Sequence, residues 1–152
     1  MRRLLLIAAL SFPACLQAAA DPCLLKATEL ETVLGHLPLD GKPDVDPVGT
    51  PMCIYETKGE TGKRFLLLVH AKPWDAKRYA QRVSLAEGSG LRKVTPLPGV
   101  GDAAFYVEGT AGALSGARYI EINGLRSAAR RTVPPAEVSQ LLKLSLERLQ
   151  AR

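Results

Sequence analysis

Two glycine-bearing segments, two serines beside glycines, two histidines and three cysteines are the residues of this 152-residue chain whose types and spacing could carry chemistry. Gly59-Glu60-Thr61-Gly62-Lys63 has the outline of a phosphate-cradling loop. That pattern also needs a glycine where Thr57 stands and a serine or threonine where Arg64 stands. The segment lies between two apolar runs of strand type, so it reads as a hairpin loop. Gly99-Val100-Gly101 could open a dinucleotide fingerprint, but its third glycine position holds Ala104 and a strand-like segment follows instead of a helix. A turn enabled by Gly99 and Gly101, with Asp102 bonding nearby backbone amides, accounts for it better. Ser89 and Ser115 sit outside any Gly-x-Ser-x-Gly elbow. His70 ends an apolar run and reads as a satisfied structural residue, with a dispersed triad of His70, a serine and an aspartate as the alternative. His36 and His70 are not at ligand spacing, so no metal, cofactor or catalytic residue is assigned.

The cysteines carry the clearest chemistry, and the N-terminus sets their context. Arg2 and Arg3, the apolar run Leu4 to Phe12, the break at Pro13 and the small residues Ala18-Ala19-Ala20 follow the order of a secretory signal. The run is too short to span a bilayer, which takes about 20 residues. Cleavage after Ala20 and release to the periplasm or medium is the expectation. Lipid anchoring at Cys15, after Phe12-Pro13-Ala14, is the alternative route. Cleavage discards Cys15 and leaves Cys23 and Cys53, an even pair that in an exported protein reads as a disulfide. A metal site would want more ligands, and a redox pair would more often be Cys-x-x-Cys.

Removing Arg2 and Arg3 leaves 18 basic against 15 acidic residues, net +3, in one domain spanning 21–152. With aromatics at 5% and export expected, nucleic-acid binding is disfavoured. No later segment is long and apolar enough to cross a membrane, and a monomer is expected.

The elements that must position these residues follow from local signals. Thr28-Glu29-Leu30-Glu31 is a capping-box sequence that opens a short helix over about 28–35, with Gly35 suited to its C-cap. Residues 36–51, with four prolines and three aspartates, read as a loop. Met52–Thr57 and Arg64–Ala71 read as hairpin strands, the second continuously apolar from Phe65 to Val69 and expected to be covered on both faces. Asp75 caps a helix whose apolar stripe is Ala76, Tyr79, Ala80 and Val83, with Lys77, Arg78 and Arg82 on the other side. Ala103–Glu108 is a strand. Asn123-Gly124 predicts a type I′ turn between strands 117–122 and 125–130, placing Glu121 opposite Arg126. Pro134-Pro135 opens a helix to about Leu149.

In that register Tyr119, Arg126 and Arg130 share a face and Arg131 follows, beside the small residues Ser127, Ala128 and Ala129. Such a basic edge could receive an anionic envelope ligand or an acidic protein. The same charges would also serve simply to keep an edge strand from pairing.

The start Asp21-Pro22-Cys23, the capped helix ending Leu34-Gly35, Cys53-x-Tyr55 and Pro98-Gly99-Val100-Gly101-Asp102-Ala103-Ala104 together resemble small exported bacterial domains with a PsbP-like α/β sandwich, many of them lipoproteins. The resemblance implies an antiparallel sheet flanked by helices, a Cys23–Cys53 bridge and a non-catalytic role as a binding or assembly accessory at the envelope. The expected fold is α+β. It has an antiparallel sheet of five to six strands, N-terminal, middle and C-terminal helices on it, and one disulfide. The expected function is binding of an unknown protein or anionic envelope ligand. A small periplasmic hydrolase and an inhibitor acting through loop 36–51 are the alternatives.

Overall fold

The computed structural model describes residues 21–35, 38–57, 64–70, 72–88, 90, 92–124 and 133–152. In chain order the elements are α1 (Ala27–Leu34), β1 (Lys42–Val45), β2 (Pro51–Glu56), β3 (Arg64–His70), α2 (Ala76–Glu87), β4 (Thr95–Pro96), β5 (Ala103–Val107), β6 (Thr110–Ser115), β7 (Arg118–Asn123) and α3 (Pro135–Gln150). The strands form one sheet in the order β1-β2-β3-β7-β6-β5-β4, antiparallel at every pairing. The architecture is thus α+β as expected, but with seven strands among the described residues rather than about five or six.

Alternation along the strands gives the sheet two apolar faces, and helices cover both. Tyr55, Phe65, Leu67, Ala111, Ala113, Ile120 and Ile122 face α1 and α3, meeting Leu30, Leu34, Val138, Leu141, Leu142 and Leu146 in the larger core. Phe105, Val107, Leu114 and Tyr119 face the opposite way, toward Trp74, Tyr79, Val83 and Ala86 of α2 and its approach. Each of the large side chains fully buried here contributes about 1.5–3 kcal/mol by leaving water. β3 is central, between β2 and β7, but only Phe65 and Leu67 are buried; Leu66 and Leu68 on the α2 side are half-exposed. The expectation that both its faces are covered holds for one.

The helix ends correct the sequence reading in one place and match it in two. The N-cap of α1 is Lys26, not Thr28. The Glu29 carboxylate accepts from the Lys26 N–H at 2.7 Å, and Thr28 instead offers its carbonyl to the Thr32 hydroxyl. Two acids, Glu29 and Glu31, compete for that role, and Glu29 is drawn by Arg148 of α3, which binds it at 2.5 Å. Gly35 is the αL C-cap, and Asp75 caps α2 by accepting from Arg78 N–H at 2.7 Å.

The strand expected at 125–130 lies outside the described residues, and both edges of its expected partner are taken. β7 already has β3 on one side and β6 on the other, so Glu121 lies across from Leu68 and Gly112, not Arg126. The turn that reverses into β7 is at Gly116-Ala117, closed by the Gly116 N–H donating to the Asp102 carboxylate at 2.6 Å. Asp102 therefore serves a backbone amide 14 residues away in sequence. Gly101, at φ +56°, has no room for a side chain because a Cβ there would come within 2.3 Å of the Leu114 carbonyl oxygen.

Segment 36–51, expected as loop, contains the edge strand β1. Pro38 bridges Thr57 while Lys42 pairs with Ile54, so one extra residue bulges out between them. Gly41 sits in that bulge, where a Cβ would meet the Cys53 sulfur at 2.4 Å and the Tyr55 ring at 2.7 Å. Among the described residues both sheet edges are blunted against further pairing. Pro43 has no N–H to offer at its solvent-facing position, and the next outward donor, Val45 N–H, is taken by the Asp44 carboxylate at 2.8 Å. The opposite edge, β4, is two residues long and includes Pro96.

Candidate functional site

The chemistry-bearing residues gather at three places: a polar network beneath α2, an aromatic cluster beside it, and the exposed hairpin formed by β1 and β2. In the network, Glu121 points into the α2 side of the sheet and is 5% exposed. Arg82 of α2 binds it through both nitrogens of its fork, Nε to Oε2 at 2.7 Å and Nη2 to Oε1 at 2.6 Å. The Tyr119 hydroxyl donates to Oε2 at 2.8 Å and the Asn123 amide to Oε1 at 3.1 Å. Thr110 donates in turn to the Asn123 carbonyl oxygen at 2.9 Å. Burial alone would raise the Glu121 carboxyl, but the Arg82 guanidinium, with Tyr119 and Asn123, overrides it and keeps the group below its ordinary range. Burial and the neighbouring carboxylate both push the Tyr119 phenol up. Gly112 opposite makes the space, since a Cβ there would come within 2.3 Å of the Tyr119 hydroxyl.

This network ends at an open cleft of about 340 Å³ lined by Arg92, Glu108, Gly109, Thr110 and Gly124. Every donor in the chain points inward, from Thr110 through Asn123 to Glu121. The Thr110 proton is held by an amide oxygen, which is no base, so the hydroxyl is not activated as a nucleophile; it can accept a hydrogen bond from a ligand in the cleft.

The aromatic cluster adjoins the other end of the network. The Trp74 ring stacks on Tyr119 at 3.8 Å, the Arg78 guanidinium lies over Trp74 at 4.4 Å, and His70 meets Trp74 edgewise at 4.8 Å and Tyr119 at 5.1 Å. Burial lowers the His70 pKa below its ordinary value of 6.5. Arg78 and Arg82 of α2 reinforce this, while Glu121 of β7 and Asp46 beyond β1 oppose it. Since the folded state resists protonation, the unfolded chain binds the proton first, and stability falls as pH drops through the window just below 6.5. Urea midpoints measured from about pH 7.5 to about pH 5.5 should decline, and more shallowly in His70→Gln; equal slopes would sink this assignment.

The third place is exposed. Among the described residues the large hydrophobics most open to solvent are Leu39 at 40%, Val45 at 59%, Val48 at 86% and Leu85 at 75%. Three of these four fall in one ten-residue stretch along β1 and its turn. The turn from Asp46 to Thr50 is held from within. Asp46 N–H donates to the Thr50 carbonyl at 2.9 Å and Gly49 N–H to the Asp46 carbonyl at 2.9 Å. The Asp46 carboxylate accepts from Val48 N–H at 3.0 Å and Thr50 N–H at 2.6 Å. Hydrogen bonding from Thr50 is the main reason its pKa is lowered.

The sequence-assigned residues are distributed as follows. Cys23 and Cys53 form the expected disulfide, with Cα atoms 4.9 Å apart. Gly99, Gly101 and Asp102 form the expected turn, with Gly99 and Gly101 at positive φ. Tyr119 is wholly buried on a central strand, not on an exposed edge, because β6 and β3 flank β7 and α2 covers it. Arg126, Arg130 and Arg131 lie outside the described residues, as do residues 1–20 with Cys15, the loop 58–63, the strand assigned to 125–130, His36 and Ser89. Ser115 accepts from Gln150 of α3 at 3.0 Å. The Arg82–Glu121 pair and the exposed valines were not singled out from sequence. Arg82, expected on the side of α2 away from its apolar stripe, turns inward because Glu121 offers it a buried partner.

Among the described residues no group of three His, Cys, Asp or Glu side chains could hold a metal ion, and no helix is long and apolar enough to cross a membrane. No protein-family model, curated protein or solved structure matches this chain.

Proposed function

We propose that the protein is an exported, non-enzymatic binding or assembly accessory of the cell envelope, acting as a monomer on a protein partner through its β1 edge. The observation that carries the reading is the grouping of Leu39, Val45 and Val48 in solvent on one ribbon. Exposed apolar side chains that gather in one place mark interaction sites, whereas scattered ones need no explanation. The Cys23–Cys53 bridge supports an oxidising compartment, where such bonds persist, consistent with export through residues 1–20 and release after Ala20. The resemblance to PsbP-like envelope domains points the same way, and the seven-stranded antiparallel sheet flanked by helices is compatible with it.

The blunted edges limit the mode of binding. With Pro43 and the Asp44 carboxylate removing the outward donors of β1, a partner strand finds only carbonyl acceptors there, so side chains make most of the contact. Affinity capture from envelope extract is the test. The wild type and Leu85→Ser should retain a stoichiometric partner that the triple variant Leu39→Ser/Val45→Ser/Val48→Ser loses. Equal capture by the triple variant would overturn the reading.

A further inference from the structure

We propose that the Asp46–Thr50 turn is a pre-organised anchor that inserts Val48 into an apolar pocket of the partner protein, a pocket whose rim is cationic. The inference rests on the binding role proposed above and adds which atoms enter the partner and what they meet there.

Three observations carry it. The first is cost: Val48 is 86% exposed at the apex of the turn, with Val45 at 59% below it, and nothing within the described fold uses either. The second is rigidity. Four hydrogen bonds cross the five residues, two of them to the Asp46 carboxylate, Pro47 fixes its own φ, and Gly49 takes the left-handed conformation at φ +82° that lets the chain return. An apolar side chain held this way loses little conformational freedom on docking, which is how a small contact becomes a tight one. The base is held as well, since Pro43 of β1 pairs with Cys53, whose sulfur is bonded to Cys23.

The third is charge. The chain as a whole carries +5, yet the stretch 39–50 holds Asp40, Asp44 and Asp46 against Lys42 alone, and the Lys42 ammonium lies 3.8 Å from Glu56. An acidic collar around an apolar apex is complementary to an apolar pocket ringed by Lys and Arg. It is repelled by a membrane surface rich in anionic lipid.

The test places the photo-crosslinker p-benzoylphenylalanine at position 48, at 45 and, as control, at 85 of the full chain in its own envelope. Position 48 should give one discrete protein adduct that position 85 does not, and the crosslinked residue should lie in an apolar pocket flanked by Lys or Arg. With that partner purified, Val48→Asp should weaken binding by about 100-fold or more, as loss of an interface anchor does. Asp46→Ala should weaken it by about 10-fold through loss of pre-organisation, while Asp46→Asn, which keeps the acceptor oxygen, stays near wild type. Urea midpoints of the Val48 variant should match the wild type, since the side chain is in solvent. Asp40→Lys/Asp44→Lys should slow association and reverse its salt dependence. Adducts to lipid alone, bands shared with position 85, or wild-type affinity in Val48→Asp would overturn the anchor. An adduct from position 45 without one from 48 would leave the binding role and remove the anchor; none from either would remove both.

Discussion

Replacing Glu121 by alanine destabilises the protein by about 3–5 kcal/mol, the cost of breaking a buried ion pair by removing one partner. The carboxylate is the acceptor for four donors: two from Arg82 and one each from Tyr119 and Asn123. Removing it strands a phenol that is wholly buried and an amide committed on its other side to Thr110. It also opens a void beneath α2, where Gly112 has no side chain to fill it. Arg82 recovers part of the loss, since its side chain is 27% exposed and can turn to water, which places the expected value toward the lower end of the range. Urea unfolding at neutral pH measures it; a loss under about 1 kcal/mol would show that the network is incidental to the fold.

The reverse removal behaves differently with pH. In Arg82→Ala the carboxylate stays buried without its cation, so burial prevails and its pKa rises above the ordinary 4.5. The folded state then binds a proton more readily than the unfolded chain, and the variant gains stability relative to neutral pH as acid is added. In the wild type the pKa is lowered, so the same contribution is lost as pH falls through it. The double replacement Arg82→Met/Glu121→Leu should recover the part of the loss due to the uncompensated charge and the void, but not the part due to the Tyr119 hydroxyl and Asn123 amide, which still lack their acceptor.

What the sequence made legible was local. Asp75 as the cap of α2, Gly35 behind α1 and the proline-led start of α3 depend on neighbours in the chain, and the pairing of Cys23 with Cys53 follows from the expectation that Cys15 leaves with the leader. What it hid was decided across the sheet. β1 carries a proline and an aspartate among its four residues and is a strand only because β2 supplies its hydrogen bonds. β6 reads Thr-Ala-Gly-Ala-Leu-Ser, with no run of bulky residues to announce it, yet it occupies the edge of β7 that the Asn123-Gly124 signal assigned to 125–130. The strongest short-range turn signal in the chain yielded to tertiary pairing. Arg82 and Glu121 are 39 residues apart, beyond any helical or strand period, so no sequence pattern links them. The exposure of Val48 was equally unreadable, because a valine between Pro47 and Gly49 looks the same whether it faces solvent or core.

Breaking the disulfide is the other large expected effect. Cys23→Ser/Cys53→Ser should lower stability by about 3–4 kcal/mol, the loop-closure entropy released to the unfolded chain when a link across roughly 30 residues is cut. The bridge is not the sole tie of the N-terminal segment. The Tyr55 hydroxyl donates to the Leu25 carbonyl at 2.7 Å and accepts from its N–H at 3.2 Å, and Arg148 reaches the Leu24 carbonyl at 2.6 Å and the Glu29 carboxylate. Burial pushes the Tyr55 phenol up to about 12, so it stays a protonated donor throughout the physiological range. These contacts hold α1 against β2 in the native state whether or not the sulfurs are joined, so the double serine variant should fold with near-native circular dichroism and unfold at lower urea. Because the entropic cost falls on the unfolded chain, the native α1–β2 contact need not change. A variant that instead loses secondary structure in buffer would show that the bridge is required to form that contact. One as stable as the wild type would show that the unfolded chain already keeps residues 23 and 53 together.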